Sequence, residues 1–146
     1  MEHAPEIASW LHDRGLHAPG LVEALARAGR LVVDSRKVDE TCGFIALRGA
    51  NHDGHAFLGE VARKAAFLVT EKSWKPAADF PRDPPVLRVD DSLDFSRDFA
   101  PIFYGRPSRD LRILGVTGTN GKTTSTFLLE ALSRAAGRHP GVIGPI

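Results

Sequence analysis

The sequence predicts an α/β fold, with a small N-terminal α/β domain over residues 1–108 and the opening β-α-β unit of a second domain over residues 109–146. Short apolar runs alternate with amphipathic helical segments, which is typical of α/β domains. The stretch YGRPSRD, residues 104–110, interrupts this alternation with glycine, proline and charge, and we interpret it as a linker. After it, a glycine-rich loop separates an apolar run from a helical pattern, as at a nucleotide-binding turn.

The N-terminal half of the first domain contains two predicted helices followed by two predicted strands. Apolar residues recur at helical spacing in EIASWLHDR, residues 6–14, and a second short helix is predicted over residues 19–28, with Gly29 as a typical helix stop. RLVVDSR contains a predicted strand at 31–33 that ends in a polar turn. GFIALRG, residues 43–49, is a short apolar run bounded by glycines and is also predicted to be a strand.

The second half of this domain repeats the alternation. HAFLGEVARKA, residues 55–65, places its apolar residues on one helical face. Strands are predicted for AFLVTEK, residues 66–72, and for PVLRV, residues 85–89. SLDFSRDFAPIFY, residues 92–104, is the last predicted helix before the linker.

The second domain is predicted to begin with a strand, a loop and a helix. LRILGVTG, residues 111–118, is the strand, and KTTSTFLLEALSRAAG, residues 122–137, is a helix closed by Gly137. PGVIG, residues 140–144, is the predicted start of another strand.

Composition narrows the class of protein. Nineteen basic and 18 acidic residues leave a formal net charge of +1, so nothing indicates a nucleic-acid or membrane-surface partner. The single cysteine, Cys42, allows no intrachain disulfide and fits a reducing compartment. No signal peptide and no apolar stretch of membrane-spanning length is recognisable, so we expect a cytoplasmic protein.

The loop GVTGTNGKTT, residues 115–124, contains the parts that a nucleotide phosphate requires. Glycines such as Gly118 and Gly121 let backbone N–H groups converge on an anion, and the following helix adds the positive end of its dipole. Lys122 supplies a mobile positive charge, and the Thr123 hydroxyl is placed to ligate Mg²⁺. The order of strand, loop, Lys-Thr and helix therefore predicts a phosphate-binding loop.

This variant of the loop resembles that of a known family. Its first glycine is Gly115, whereas the general motif would have a glycine where Val116 stands. TGTNGKTT after a strand resembles the ATP loop of the Mur ligases, which build the cytoplasmic precursor of peptidoglycan. Within that family the loop most resembles the ligase that adds the third residue of the stem peptide.

A second motif resembles the first domain of the same family. DSRKVDETCGFIALRGANHDGHAF, residues 34–57, contains Asp-Ser-Arg, a Phe-x-Ala-Leu strand, and Gly-x-x-x-Asp-Gly followed by an aromatic residue. It departs from the family at Glu40-Thr-Cys-Gly-Phe44, where Pro-Gly-Asp-Leu-Phe is usual. Pro145 after Gly144 departs from the usual Gly-Thr.

The resemblance implies that the first domain holds the UDP end of the substrate. The Val33 backbone and Ser35 would contact the uridine diphosphate, and the loop Ala50-Asn51-His52 would close over uracil and ribose. Taken alone, Asp-Ser-Arg is more readily interpreted as a plain polar turn than as a binding site. The family match favours the substrate site.

The resemblance also implies that the second domain binds ATP and Mg²⁺. Lys122 would act catalytically by neutralising charge on the γ-phosphate as it moves to the substrate carboxylate, and Thr123 would ligate the metal. The acyl phosphate formed on D-glutamate would then be displaced by the amine of an incoming amino acid. The residues implied to hold the triphosphate are Gly118, Thr119, Asn120, Gly121, Lys122, Thr123 and Thr124.

The family's remaining machinery would lie beyond residue 146: a further Mg²⁺ ligand, a carbamylated lysine and the domain that selects the amino acid. We therefore expect this chain to be the N-terminal portion of a ligase and inactive by itself. The alternatives are a fragment of another Mur ligase, most plausibly the one adding D-alanyl-D-alanine, and a stand-alone UDP-sugar-binding module. A general phosphate-loop ATPase is disfavoured by the loop spacing.

Two clusters of histidine or acidic residues could suggest a metal site or paired catalytic carboxylates, and we interpret both as structural features of turns and helix ends. NHDGH offers His52, Asp53 and His55, but the further ligand that a tight site needs does not stand at a compatible spacing, so we expect a substrate-facing turn. The pair Asp90-Asp91 is interpreted as a helix N-cap rather than as paired catalytic carboxylates.

Overall fold

A computed structural model describes residues 4–49, 52–81 and 83–144 of the chain. The chain divides into two compact units, Met1–Arg109 and Asp110–Ile146, and each is described separately below. Within the described ranges, none of the helices combines the length and the apolar character that crossing a membrane requires.

The first unit is built around a four-stranded, wholly parallel sheet, which confirms the predicted α/β class. The strands lie side by side in chain order, each hydrogen-bonded to the next. The strands are β1 Arg30–Val32, β2 Cys42–Ile45, β3 Phe67–Glu71 and β4 Val86–Val89. The helices are α1 Ala4–His12, α2 Leu21–Arg27, α3 Leu58–Val61 and α4 Ser92–Phe103.

Both faces of the sheet are covered, as parallel sheets require. One face packs against α1, α2 and α4, and its core includes Ile7, Phe67 and Phe99. The Phe99 ring lies against Trp10, Phe67, Phe95 and Phe103, with centroid separations of 4.9 to 6.4 Å. The other face packs against α3, with Phe44, Leu58 and Leu68 in its core.

Gly43, on β2, leaves room for the Phe67 ring of the neighbouring strand β3. Gly43 is the register partner of Phe67 on the neighbouring strand. A Cβ atom at position 43 would overlap the Phe67 ring at three of its carbon atoms. The aromatic ring therefore occupies the space in which any other residue would carry its side chain.

The segment predicted as one helix over 55–65 is divided. Asp53 caps a 3₁₀ turn, Gly54–Phe57, by accepting a hydrogen bond from the His55 N–H, and only Leu58–Val61 continues as α-helix. A side-chain cap of this kind competes with helical backbone bonding, so the α-helix begins later than predicted.

The second unit contains helix α5, Lys122–Ala135, as predicted. The strands predicted at 111–118 and 140–144 are not formed: none of the described residues in 110–144 belongs to a strand. A strand requires a neighbouring strand to accept and donate its backbone hydrogen bonds. Residues 111–117 have none within the described part of this unit, and Ile113 is 80% exposed.

Candidate functional site

The carboxyl ends of the parallel strands lie along one edge of the sheet, and the predicted UDP-binding residues follow two of these ends. Val33 and Ser35 come directly after β1, and His52 lies in the loop after β2. Because β1 and β2 are parallel neighbours, both segments leave the sheet at the same edge. Ala50 and Asn51 lie outside the described residues.

Asp34 shapes the turn that carries Ser35. It caps the 3₁₀ turn Ser35–Lys37, and its Oδ1 accepts the Arg36 N–H at 3.1 Å. The Arg36 guanidinium donates to both carboxylate oxygens, from Nε at 2.9 Å and from Nη2 at 2.8 Å. These hydrogen bonds lower the pKa of Asp34 to about 2, so the carboxylate is charged at neutral pH.

Ser35 and Val33 are accessible at this edge. Ser35 is partly exposed, and within the described part of the chain its hydroxyl is not engaged by another side chain. Val33 is 54% exposed although its neighbours on β1 pack against the core. A hydroxyl and an accessible backbone are thus presented together at the end of β1.

The loop after β2 folds back on itself. Arg48 and Asp53 form an isolated antiparallel bridge, and the Gly49 N–H donates to the His52 carbonyl at 2.8 Å. The Gly54 N–H closes the base of the loop on the Leu47 carbonyl, also at 2.8 Å. A Cβ at Gly54 would lie 3.0 Å from the Leu47 backbone, so a side chain there would require the backbone to shift by a few tenths of an ångström.

His55 connects this loop to the middle of the sheet. Its Nδ1 lies 2.6 Å from Asp53 Oδ1, and its Nε2 accepts the Glu71 N–H at 3.0 Å. Because a backbone N–H can only donate, Nε2 is unprotonated and the ring proton is on Nδ1, facing Asp53. The backbone and ring N–H groups of His55 also lower the pKa of the Asp53 carboxyl.

Glu71, at the end of β3, completes the network. Its side chain is 12% exposed and its Oε2 lies 3.2 Å from Arg48 Nη1. The Arg48 Nε in turn lies 3.4 Å from Asp53 Oδ2. Ser92, the first residue of α4, donates to Glu71 Oε1 at 3.2 Å. Three of the four strand ends are therefore connected through polar side chains.

Sequence reasoning did not identify this network. The sequence predicts a substrate-facing turn at Asp53 and His55, whereas the His55 side chain is buried, and nothing in the sequence singles out Arg48 or Glu71. The spacing Asp-x-His is itself a cap signal, but the partner of His55 is 16 residues away on another strand. Within the described residues, no group of three or more His, Cys, Asp or Glu side chains is arranged to hold a metal ion.

The predicted phosphate loop of the second unit ends at a helix N-terminus that no side chain caps. Gly121 precedes α5 with φ of 75°, and Gly118 has φ of 147°, both in the region that favours glycine. Apart from Gly121 itself and the adjoining chain, no described heavy atom lies within 4 Å of the Cβ position at Gly121. The first N–H groups of α5, at Lys122 and Thr123, are therefore left free of a side-chain acceptor at its amino end.

Lys122 lies over this loop. Its ammonium donates to the Gly118 carbonyl at 2.5 Å and to the Thr119 carbonyl at 3.4 Å. The side chains of Thr119, Asn120, Thr123 and Thr124 are exposed around it. The seven residues predicted to hold a triphosphate thus lie in one continuous exposed turn at the start of α5.

The curated proteins to which this chain is similar include ligases and a synthetase named for UDP-N-acetylmuramoyl peptides. The UDP-N-acetylmuramoyl-L-alanyl-D-glutamate–2,6-diaminopimelate ligase of Geobacillus kaustophilus is 39% identical over 147 residues, covering the whole chain. The protein of the same name from Lawsonia intracellularis is 42% identical over 117 residues, 80% of the chain. The UDP-N-acetylmuramyl-tripeptide synthetase of Roseiflexus sp. is 40% identical over 116 residues, also 80% of the chain.

These relatives are much longer than the chain. The matched regions are 27%, 24% and 22% of their respective lengths, so the chain spans about a quarter of each. The matches lie in the N-terminal region of the longer proteins. No family model matches the chain.

Proposed function

We propose that this chain, which is similar along its whole length to the N-terminal region of longer ligases, is the N-terminal part of an ATP-dependent Mur ligase of the MurE type. The protein would add the third amino acid to UDP-N-acetylmuramoyl-L-Ala-D-Glu in the cytoplasm. The observation that carries this proposal is the similarity along the whole chain to ligases named for that substrate. Those names favour it over the D-alanyl-D-alanine-adding ligase.

In this proposal, residues 1–108 bind the UDP end of the substrate. Ser35 would donate its hydroxyl to the uridine diphosphate, beside the backbone of Val33. The residues Ala50, Asn51 and His52 would close over the nucleoside. The common exit of β1 and β2 at one sheet edge supports this assignment, since ligands of parallel α/β sheets bind beyond the carboxyl ends of the strands.

The residues of the second unit fit ATP and Mg²⁺. Two glycines with positive φ and an uncapped helix N-terminus offer backbone N–H groups to phosphate oxygens. Lys122 would hold the triphosphate by exchanging its two carbonyl partners for phosphate oxygens, and the exposed Thr123 hydroxyl would ligate the metal. Bound ATP would supply the phosphoryl group that makes a carboxylate reactive toward an amine.

The division of labour between the two units follows from their chemistry. The first unit would orient the nucleotide-sugar by hydrogen bonds and would not touch the reacting carboxylate. In the second unit, the Lys122 ammonium would offset negative charge as it develops on the transferring group. Residues 109–146 would then be the beginning of an ATP-binding domain, and this chain alone would not catalyse ligation.

The activity is tested on the complete protein. It would be incubated with UDP-N-acetylmuramoyl-L-Ala-D-Glu, Mg·ATP and either diaminopimelate or lysine, and phosphate release would be measured. Release that requires the dipeptide substrate and one amino acid supports the proposal, and Lys122→Ala should abolish it. A parallel reaction contains the UDP-linked tripeptide and D-alanyl-D-alanine, and phosphate release only there would identify the D-alanyl-D-alanine-adding ligase. Binding of the UDP-sugar without phosphate release would identify a binding module.

A further inference from the structure

We propose that His55 is a positioning residue for UDP-substrate binding: through Asp53 and Glu71 it holds the two described ends of the loop after β2, at Arg48 and Asp53, against the sheet. This inference rests on the proposed function, because its ligand is the UDP end of the proposed substrate. Among the described residues, the His55 side chain contacts none of those predicted to bind that ligand, and it acts through the base of the loop that includes His52.

The first step of the argument is the burial and complete pairing of the imidazole. The His55 side chain is only 4% exposed, so it is not available to contact a ligand directly. Both of its ring nitrogens have partners, Asp53 on one side and the Glu71 N–H on the other. A buried ring with both nitrogens satisfied has a fixed tautomer and a fixed orientation.

The second step is the place of those partners in the fold. Asp53 is one side of the loop's antiparallel bridge, and Arg48 is the other. Glu71 is the last residue of β3, the central strand next to β2. The imidazole therefore joins the base of the loop to a strand other than the one from which the loop departs.

The third step is that the carboxylates reinforce the same connection. Arg48 lies between Asp53 and Glu71, within 3.4 and 3.2 Å of their oxygens. Glu71 is further fixed by Ser92 at the start of α4. With two carboxylates against it, the Arg48 charge is already compensated, so its role is to brace the loop rather than to attract phosphate.

The experiment compares the full chain with His55→Ala, His55→Gln and a matched control, Val61→Ala. Val61 is 1% exposed and packs in the core on the α3 face of the sheet, without belonging to the polar network. Amide hydrogen exchange at Gly49 and Gly54 would report loop closure, and titration with UDP-N-acetylmuramoyl-L-Ala-D-Glu would report binding. Both are measured well below the unfolding temperature of each variant.

We expect His55→Ala to accelerate exchange at these two amides and to weaken binding by about tenfold, because a loop shifted by about an ångström loses its aligned contacts. His55→Gln keeps an acceptor toward the Glu71 N–H and should recover part of both effects. Val61→Ala should lower the unfolding temperature while leaving exchange at the loop and affinity near wild type.

Exchange and affinity in His55→Ala equal to those in Val61→Ala would overturn the positioning role. If His55→Ala does not fold, His55→Gln is compared with His55→Asn, whose shorter side chain does not reach the Glu71 N–H. Equal affinities for those two variants would overturn it as well. Absence of binding by the folded wild-type chain would overturn the proposed UDP site itself, whatever the exchange data show about the loop.

Discussion

Arg36 and Asp34 form a two-pronged ion pair across a single residue, with Nε and Nη2 of the guanidinium 2.9 and 2.8 Å from the two carboxylate oxygens. The residue between them is Ser35, the predicted contact to the uridine diphosphate. Asp34 also accepts the Arg36 N–H, so the carboxylate fixes the backbone of the turn as well as its side chains. In the Asp-Ser-Arg motif, Asp34 and Arg36 therefore fix the turn on which Ser35 lies.

The ion pair with Arg36 should lower the pKa of Asp34. Its pKa of about 2 lies below the value of about 3.9 for an unpaired aspartate. A lowered folded-state pKa stabilises the protein above about pH 4, and this contribution is lost as the pH falls through about 2. An NMR titration of the side-chain carboxyl carbon should show the low midpoint, and Arg36→Ala should raise it. A midpoint near 3.9 in the wild-type chain would contradict the ion pair.

Two substitutions should separate the functions of the two units. Ser35→Ala should weaken binding of UDP-N-acetylmuramoyl-L-Ala-D-Glu by about tenfold or more, because a hydrogen bond to a charged group contributes about 1.5–3 kcal/mol and about 1.4 kcal/mol corresponds to a factor of ten. Lys122→Ala should leave that affinity unchanged, because its proposed partner is ATP. Calorimetric titration measures both. Unchanged affinity in Ser35→Ala, with the fold intact, would remove Ser35 from the site.

Elements with local signals could be predicted from the sequence. The helix of residues 6–14, the strand at 85–89 and the helix after Asp91 all follow from periodicity and capping, and the structure confirms each. The His55–Glu71 contact could not be predicted, because it depends on which strand lies beside β2 and in which register. The strands expected at 111–118 and 140–144 failed for a related reason: apolar runs form strands only with a paired neighbour.

The same substitution, glycine to alanine, should change the free energy of unfolding strongly in β2 and little in α3. Gly43→Ala should destabilise the chain by about 2 kcal/mol or more, because the new methyl group overlaps the Phe67 ring. Gly59→Ala in α3 meets no atom within 4 Å and should be neutral or slightly stabilising, since alanine favours helix. Denaturant unfolding measures both. Similar stabilities for the two variants would show that Phe67 moves aside.

The edge of the sheet at β1 provides a further test. The Leu31 N–H donates to the Tyr104 hydroxyl at 2.9 Å, which satisfies a backbone group on the outer side of this edge strand. Tyr104→Phe removes only the acceptor and should cost about 0.5–1 kcal/mol of unfolding free energy. Exchange of the Leu31 amide should accelerate in the same variant. Unchanged stability together with unchanged exchange would show that the hydrogen bond is not formed in solution.

The central claim is that residues 1–108 form a substrate-binding unit for a UDP-linked muramoyl dipeptide. Its most direct test is calorimetric titration of this chain with UDP-N-acetylmuramoyl-L-Ala-D-Glu, after circular dichroism has established that the chain is folded. We predict saturable binding at one site per chain, weakened by Ser35→Ala and unaffected by Lys122→Ala. A folded chain that releases or absorbs no heat of binding, and whose NMR spectrum is unchanged by the ligand, would contradict the account.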